Sequence, residues 1–277
     1  MSGVSSATTG TDRHKSRSAP LSLALGLAGR ELRSRYQESA LGFAWSVLSP
    51  LLLMALYTVF FGKMLGQEQE AGGMLGFTLH LFSGYLVWDT FARLAGDGPD
   101  ILLANRAILT KVRIPIDAVF HARMLQQLFH TAIAAVLLLV VALVAGRRPG
   151  AQVLLLPLTV LLLSGFTLGV TMVVSVLGLF LRDLKEVTAL LLAAWLFLTP
   201  IFYRLERMPA LAPDQALGIA YRCNPQFWFV ALSRAATLGD PLPSPLPLLA
   251  LAVVSAASYW LGRRFLRRCR SLILDTL

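Results

Sequence analysis

Charge is what this chain of 277 residues has least of: 14% of its residues are Asp, Glu, Lys or Arg, against about 25% in a soluble globular domain. With 56% hydrophobic residues and a mean hydropathy of +0.66, that shortage excludes a cytosolic protein. Cysteine is nearly absent: Cys223 and Cys269 cannot build a disulfide framework, and no CxxC or Cys/His cluster offers a metal site. The four histidines, His14, His80, His121 and His130, are scattered and read as structural. The only Gly-Lys pair, Gly62-Lys63, is followed by Met64 and has Tyr57 where a phosphate-binding loop requires its first glycine. The chain therefore has no P-loop, and no other catalytic constellation marks it as an enzyme. Residues 1–20 are polar and Ser/Thr-rich, without the apolar core of a signal peptide. Nothing alternates over the roughly 10 residues of a transmembrane strand, which excludes a barrel.

What the sequence does have is long apolar runs of about 20 residues with almost no charge, the length a helix needs to cross the hydrocarbon of a bilayer. Six stand out, at 44–61, 74–95, 117–145, 151–180, 187–203 and 246–266. Gly/Pro or charge clusters separate them, among them Gly72-Gly73, Gly96-Asp97-Gly98-Pro99 and the stretch 241–247. The expected fold is an all-α polytopic membrane protein of six transmembrane helices. An even count puts both termini on one side. Most of the 25 Lys and Arg fall on that side too, in the amino-terminal region, around Arg106 and Lys111, at Arg182 and Lys185, and in the tail from Arg263 to Arg270. Cytoplasmic loops retain positive charge, so both termini are expected inside. The formal charge of +10 then lies against an anionic leaflet, and nucleic acid is not needed to explain it.

Some segments depart from a plain span. The third run opens with Asp117, His121, Arg123, Gln126 and Gln127, a polar start that belongs at the interface or against an internal cavity. The fourth is long enough to require a tilt or bend, and Gly165 and Gly169 form a GxxxG pair suited to close helix approach. Before the first span, Leu21, Leu25, Ala28, Leu32 and Tyr36 recur at spacings of four and three, one stripe of a helix lying on the membrane surface. Periodicity alone reads that helix as an anchor. Asp89 is the one embedded carboxylate, with Arg93 a turn later as its partner, whereas a proton-coupled carrier would show several.

Aromatic residues gather near the outer ends of the spans. Tyr57, Phe60 and Phe61 close the first, Phe197, Phe202 and Tyr203 close the fifth, and Phe227, Trp228 and Phe229 follow in the outer loop. Such rings form ordinary interface belts, and ring faces also stack on sugars. In that loop, 204–245, Asn224-Pro225 reads as a helix start, which leads us to expect short outer-face helices before the sixth span.

Six pieces of the sequence, in order along the predicted topology, resemble the membrane subunit of ABC-2 type exporters, in the branch that exports O-antigen, teichoic acid, capsule or galactan precursors. They are the stretch 30–45 containing Arg35, Tyr36, Gln37, Gly42 and Trp45; Ser49-Pro50, where the family usually has Asn-Pro; 105–115, from Asn105 through Lys111 and Arg113 to Pro115; Arg182-Asp183; 199–203, from Thr199-Pro200 to Tyr203; and Asn224-Pro225. The resemblance covers almost everything beyond the first twenty residues. It divides the chain into a polar amino terminus (1–20), a cytosolic amphipathic interface helix (21–43), a six-span transmembrane domain (44–266) and a basic cytosolic tail (267–277).

The resemblance implies a homodimer in the bacterial cytoplasmic membrane, paired with a separate ABC ATPase that carries Mg-ATP, so that no cofactor belongs to this chain. It implies that Tyr57, Phe60, Phe61, Phe197, Phe202 and Tyr203 line a passage for a lipid-linked glycan. It also turns the surface helix from anchor to gate, with Arg35 and Tyr36 near the carrier's diphosphate, where arginine suits phosphate oxygens. Asn105, Lys111, Arg113, Pro115, Arg182 and Asp183 become the surface that couples to the ATPase. A neighbouring class, the ABC-2 exporter of a drug or small lipid, predicts fewer aromatic residues along the passage. A membrane anchor without transport needs neither the loop 105–115 nor a break at Pro200.

Overall fold

The computed structural model describes residues 25–26, 28–29, 44–64, 73–111, 114–147, 150–203 and 215–276. Among them every regular element is helical. Helix α1 (Ala44–Tyr57) runs on into a π-helical stretch, Thr58–Met64. Then come α2 (Met74–Ala104), α3 (Arg106–Lys111) and α4 (Ile116–Val144). A 3₁₀ turn, Ala151–Leu154, leads into α5 (Leu155–Gly178), followed by α6 (Leu184–Phe197). The chain closes with α7 (Ala216–Cys223), α8 (Pro225–Leu238), α9 (Pro245–Arg268) and α10 (Arg270–Thr276). Residues 1–20 and most of the stretch 21–43 expected to lie on the membrane are outside the described residues. Of that stretch, Ala28 is helical and buried against Ala122 and Leu125 at the start of α4.

Among the described residues, four stretches are long and apolar enough to cross a membrane: 44–62, 116–144, 151–178 and 245–268. Two of the six expected spans, α2 and α6, do not meet that measure, for different physical reasons. Helix α6 has only 14 residues. Helix α2 has 31 but carries His80, Ser83, Asp89, Thr90 and Arg93. Helices α4, α5, α6 and α8 pack against it and bury most of its residues, while Asp89 and Arg93 lie on the face they leave open, 24% and 53% exposed. Its polar groups are answered locally. The Thr90 and Thr131 hydroxyls lie 2.7 Å apart, Arg93 Nε meets Asp89 Oδ2 at 2.7 Å, and the Tyr85 hydroxyl donates to Asp89 Oδ1 at 3.1 Å.

Helix α2 also differs from the sequence reading in its length, since it continues through Gly96-Asp97-Gly98-Pro99, which was expected to end it. Packing holds the helix across the proline. A Cβ at Gly178 would lie 2.6 Å from the Pro99 carbonyl oxygen, and one at Gly98 would lie 3.1 Å from Val174 Cγ1. The glycines thus let α5 press directly on the proline turn.

Helix α5 makes its most extensive contact with α9, and the expected GxxxG pair sits in that contact. A Cβ at Gly165 would touch the Ser255 carbonyl oxygen at 3.4 Å, and one at Gly262 would lie 2.7 Å from the Gly169 Cα. Gly262 is a third small residue in this crossing that GxxxG spacing within one helix does not reveal. The Ser258 hydroxyl donates to the Phe166 carbonyl across it at 3.0 Å. The polar start of α4 is held by the far end of α9. Arg263 donates to Asp117 Oδ2 from Nε and Nη2, at 3.1 and 2.9 Å, and His121 Nε2 lies 3.0 Å from the Tyr259 hydroxyl.

Replacing Gly169 or Gly262 with leucine is expected to destabilise the bundle by about 1–3 kcal/mol, because backbone faces backbone there and cannot yield. Gly150, which has open space around it, is the control. Thermal unfolding in detergent should separate the two groups of variants, and equal melting of all three proteins would contradict the packing.

Candidate functional site

Helix α6 ends at Phe197 because Pro200 has no N–H to continue the ladder and disfavours helical backbone at Thr199. The chain then turns back on itself, with the Ile201 N–H bonded to the Thr199 carbonyl at 2.7 Å. That turn delivers Phe202 to the end of α1, where the sequence supplies Tyr57, Phe60 and Phe61. The Phe61 and Phe202 rings stack face to face, with centroids 4.4 Å apart and planes 19° apart. Tyr57 meets Phe202 edge-on at 5.8 Å and Phe61 at 6.1 Å, and Phe60 meets Phe61 at 5.1 Å.

Four of the six expected passage residues therefore form one cluster. Phe202 is buried, whereas Phe60 is 48% exposed. Tyr203 lies apart from it, its hydroxyl donating to the Phe197 carbonyl at 2.7 Å and standing 2.9 Å from the Tyr221 hydroxyl. The Phe197 ring is exposed. Sequence reasoning missed Tyr85 on α2, whose ring lies 5.5 Å from Tyr57. The signal was the spacing of four residues from Tyr85 to Asp89, which orients the phenol through its hydroxyl.

Asn224 fixes the cluster's frame. As the N-cap of α8, its Oδ1 accepts from Gln226 N at 3.0 Å and from Trp195 Nε1 at 2.9 Å. Its Nδ2 donates to the Leu198 carbonyl at 3.1 Å. One side chain thus starts α8 and closes the open end of α6, where each orphan carbonyl needs a partner.

The opposite end of the bundle collects the residues expected to couple to an ATPase. Asn105 turns α2 into α3: its carbonyl accepts from the Ile108 and Leu109 N–H groups at 3.1 and 3.0 Å. It is buried, with Nδ2 donating to the Ile101 carbonyl at 2.9 Å. Lys111, Pro115, Arg182 and Asp183 are exposed. Arg113, like Arg35 and Tyr36, lies outside the described residues. An ion pair joins α2 to the start of α6 at this end, with Lys185 Nζ 2.6 Å from Asp100 Oδ2. That hydrogen bond raises the Lys185 pKa above its usual value. Beside this face, a cavity of about 1010 Å³ is lined by Thr110, Pro115, Asp117, Arg267 and Arg270 among others.

Residues 24–238 match the family described as ABC-2 type transporter. The chain is 31% identical to the O-antigen export system permease protein RfbA of Myxococcus xanthus, over 86% of its own length and 88% of the relative's. It is 29% identical to the permease of the same name from Klebsiella pneumoniae, over 66% of this chain and 69% of that one. Against the polysialic acid transport protein KpsM of Escherichia coli the identity is 23%, over 89% and 93%.

The two kinds of ring in the cluster should respond differently to truncation. Phe202→Ala empties a packed site and is expected to cost about 3–5 kcal/mol, lowering the melting temperature in detergent. Phe60→Ala removes an exposed ring and should leave melting close to that of the parent. A Phe202→Ala protein as stable as the parent would contradict the stacking described above.

Proposed function

The chain belongs to the ABC-2 type transporter family, and from that premise we propose that it is the permease subunit of an ATP-driven exporter that carries a polysaccharide, linked to a polyprenyl diphosphate lipid, across the bacterial cytoplasmic membrane. The observation that carries this reading is the match to an O-antigen export permease over 86% of the chain. All six passes cross the membrane in this reading, α2 and α6 being screened from lipid by the rest of a homodimer. Both termini face the cytoplasm, where a cognate ATPase supplies Mg-ATP hydrolysis.

The aromatic cluster suits a polymer. A chain of sugars must slide, so its contacts have to be weak, repeated and tolerant of register. Ring faces supply about 0.5–1 kcal/mol each, while the aromatic pairs that close the cluster are worth about 0.5–1.5 kcal/mol. Exchanging ring–ring for ring–sugar contact is therefore nearly balanced, so the half-buried Phe61 can part from the buried Phe202 for a glycan at little net cost. The exposed Phe60 offers the first surface, with Tyr57, Phe197 and Tyr203 continuing the wall. At the inner end Arg35 and Tyr36 receive the carrier's diphosphate. Lys111, Arg113 and Pro115, on the segment that Asn105 begins, and Arg182 and Asp183, between α5 and α6, form the face that meets the ATPase.

Deleting the gene should strip polysaccharide from the cell surface and leave lipid-linked glycan at the inner leaflet. Phe60→Ala should lower export without loss of protein or of ATPase association. Exchange of 105–115 for a Gly/Ser linker should preserve insertion but stop export. A deleted strain with normal surface polysaccharide and heightened sensitivity to hydrophobic drugs would instead indicate a small-molecule exporter.

The orientation has its own check in the two thiols, Cys223 exposed and Cys269 half-buried. An impermeant maleimide should label Cys223 in intact cells and reach Cys269 only after permeabilisation. Labelling of Cys269 in intact cells would reverse the topology.

A further inference from the structure

The turn after α6 leaves main-chain carbonyls in the middle of a packed bundle, with Thr199, Pro200 and Ile201 all buried. An arginine answers them. Arg234, on α8 and only 9% exposed, directs Nη2 at the Pro200 carbonyl (2.7 Å), the Ile201 carbonyl (3.2 Å) and the His80 carbonyl on α2 (3.5 Å). The preceding residue fastens the same stretch of α8 to α2, the Ser233 hydroxyl donating to the Ser83 carbonyl at 2.7 Å. Gly84 makes room for the meeting of the three segments. A Cβ there would lie 3.2 Å from Val230, 3.4 Å from Arg234 Nη2 and 3.6 Å from the Ile201 Cα.

We propose that Arg234 is the positioning residue of the aromatic passage: by holding the Pro200 and Ile201 carbonyls, it sets where Phe202 stands against Phe61. The chemistry favours a cationic donor. Main-chain carbonyl oxygens carry partial negative charge, which a cation complements, and charged hydrogen bonds are about twice as strong as neutral ones. All three contacts are made by Nη2, so the charge brought to one point is what the turn uses. Asn224, at the other end of α8, holds the Leu198 carbonyl. Helix α8 therefore grips the turn at two places, and any shift of α8 is carried through Arg234 to Phe202. The role in export rests on the reading of the cluster as a passage; the positioning itself does not.

Two cysteine pairs in a Cys223→Ser, Cys269→Ser background separate these claims. Phe61→Cys with Phe202→Cys reports the turn against α1. Thr90→Cys with Thr131→Cys, at positions whose hydroxyls are 2.7 Å apart, reports the bundle elsewhere. Oxidative cross-linking of the first pair should fall about tenfold in Arg234→Gln, the factor set by losing a charged hydrogen bond, and be partly restored in Arg234→Lys. The second pair should cross-link as before in both. Unchanged cross-linking between positions 61 and 202 in Arg234→Gln would overturn the proposal. So would equal loss at both pairs, which would make Arg234 a general support of the fold. In the cysteine-intact Arg234→Gln protein, export should fall while ATPase association is kept. Displaced cross-linking with normal export would uphold the positioning and remove the cluster from the passage.

Discussion

In hydrocarbon a main-chain carbonyl without a partner costs several kcal/mol, because no water is there to replace it, and this constraint organises the molecule around the one place where a buried helix stops short. Helix α6 ends three residues before Pro200, and the carbonyls of the turn that follows it are met by side chains of α8 and its cap: Asn224 at Leu198, Arg234 at Pro200 and Ile201. The short α8 is consequently drawn into the bundle, packed on α2 and α5. The turn that it holds is what brings Phe202 onto Phe61. Were α6 to continue as a regular helix, those carbonyls would satisfy themselves and the ring cluster would not form.

The same constraint explains α2. Its polar side chains fold back on its own backbone or on neighbouring helices, as the Thr90 hydroxyl does with the Leu86 carbonyl at 2.8 Å and with Thr131. Asp89 and Arg93 lie on the face that these neighbours leave open and answer each other there. Helix α2 becomes the post against which α4, α5, α6 and α8 are set, and it connects the two ends of the bundle. One end carries Tyr85 beside the aromatic cluster, the other Asp100 paired with Lys185.

Much of this was legible in the sequence, and the parts that were not share a cause. Composition and the length of apolar runs revealed an all-helical membrane chain, because burial in lipid demands both. Asn224-Pro225 revealed the start of α8, since capping chemistry is local. The aromatic clusters at 57–61 and 202–203 were visible as groups, and their meeting followed only from the turn at Pro200. Long-range pairings left no local trace. Nothing near Gly262 announces that it packs on Gly169, and nothing near Arg234 announces the carbonyls that it holds. Gly96–Pro99 misled in the opposite direction, because close packing by Gly178 carries the helix through a sequence that would end it in water. Asn105 was read as part of a coupling surface; in the structure it is buried and turns the chain from α2 into α3.

The central claim is that this chain, together with its ATPase, moves a lipid-linked polysaccharide. Its most direct test is reconstitution of both subunits in proteoliposomes with lipid-linked glycan supplied on the ATPase side, followed by digestion with an impermeant glycosidase. The account predicts that ATP renders the glycan resistant to the enzyme, and that neither a non-hydrolysable analogue nor an ATPase-dead partner does so. Glycan that stays fully digestible while the same vesicles take up a small hydrophobic dye in response to ATP would contradict it.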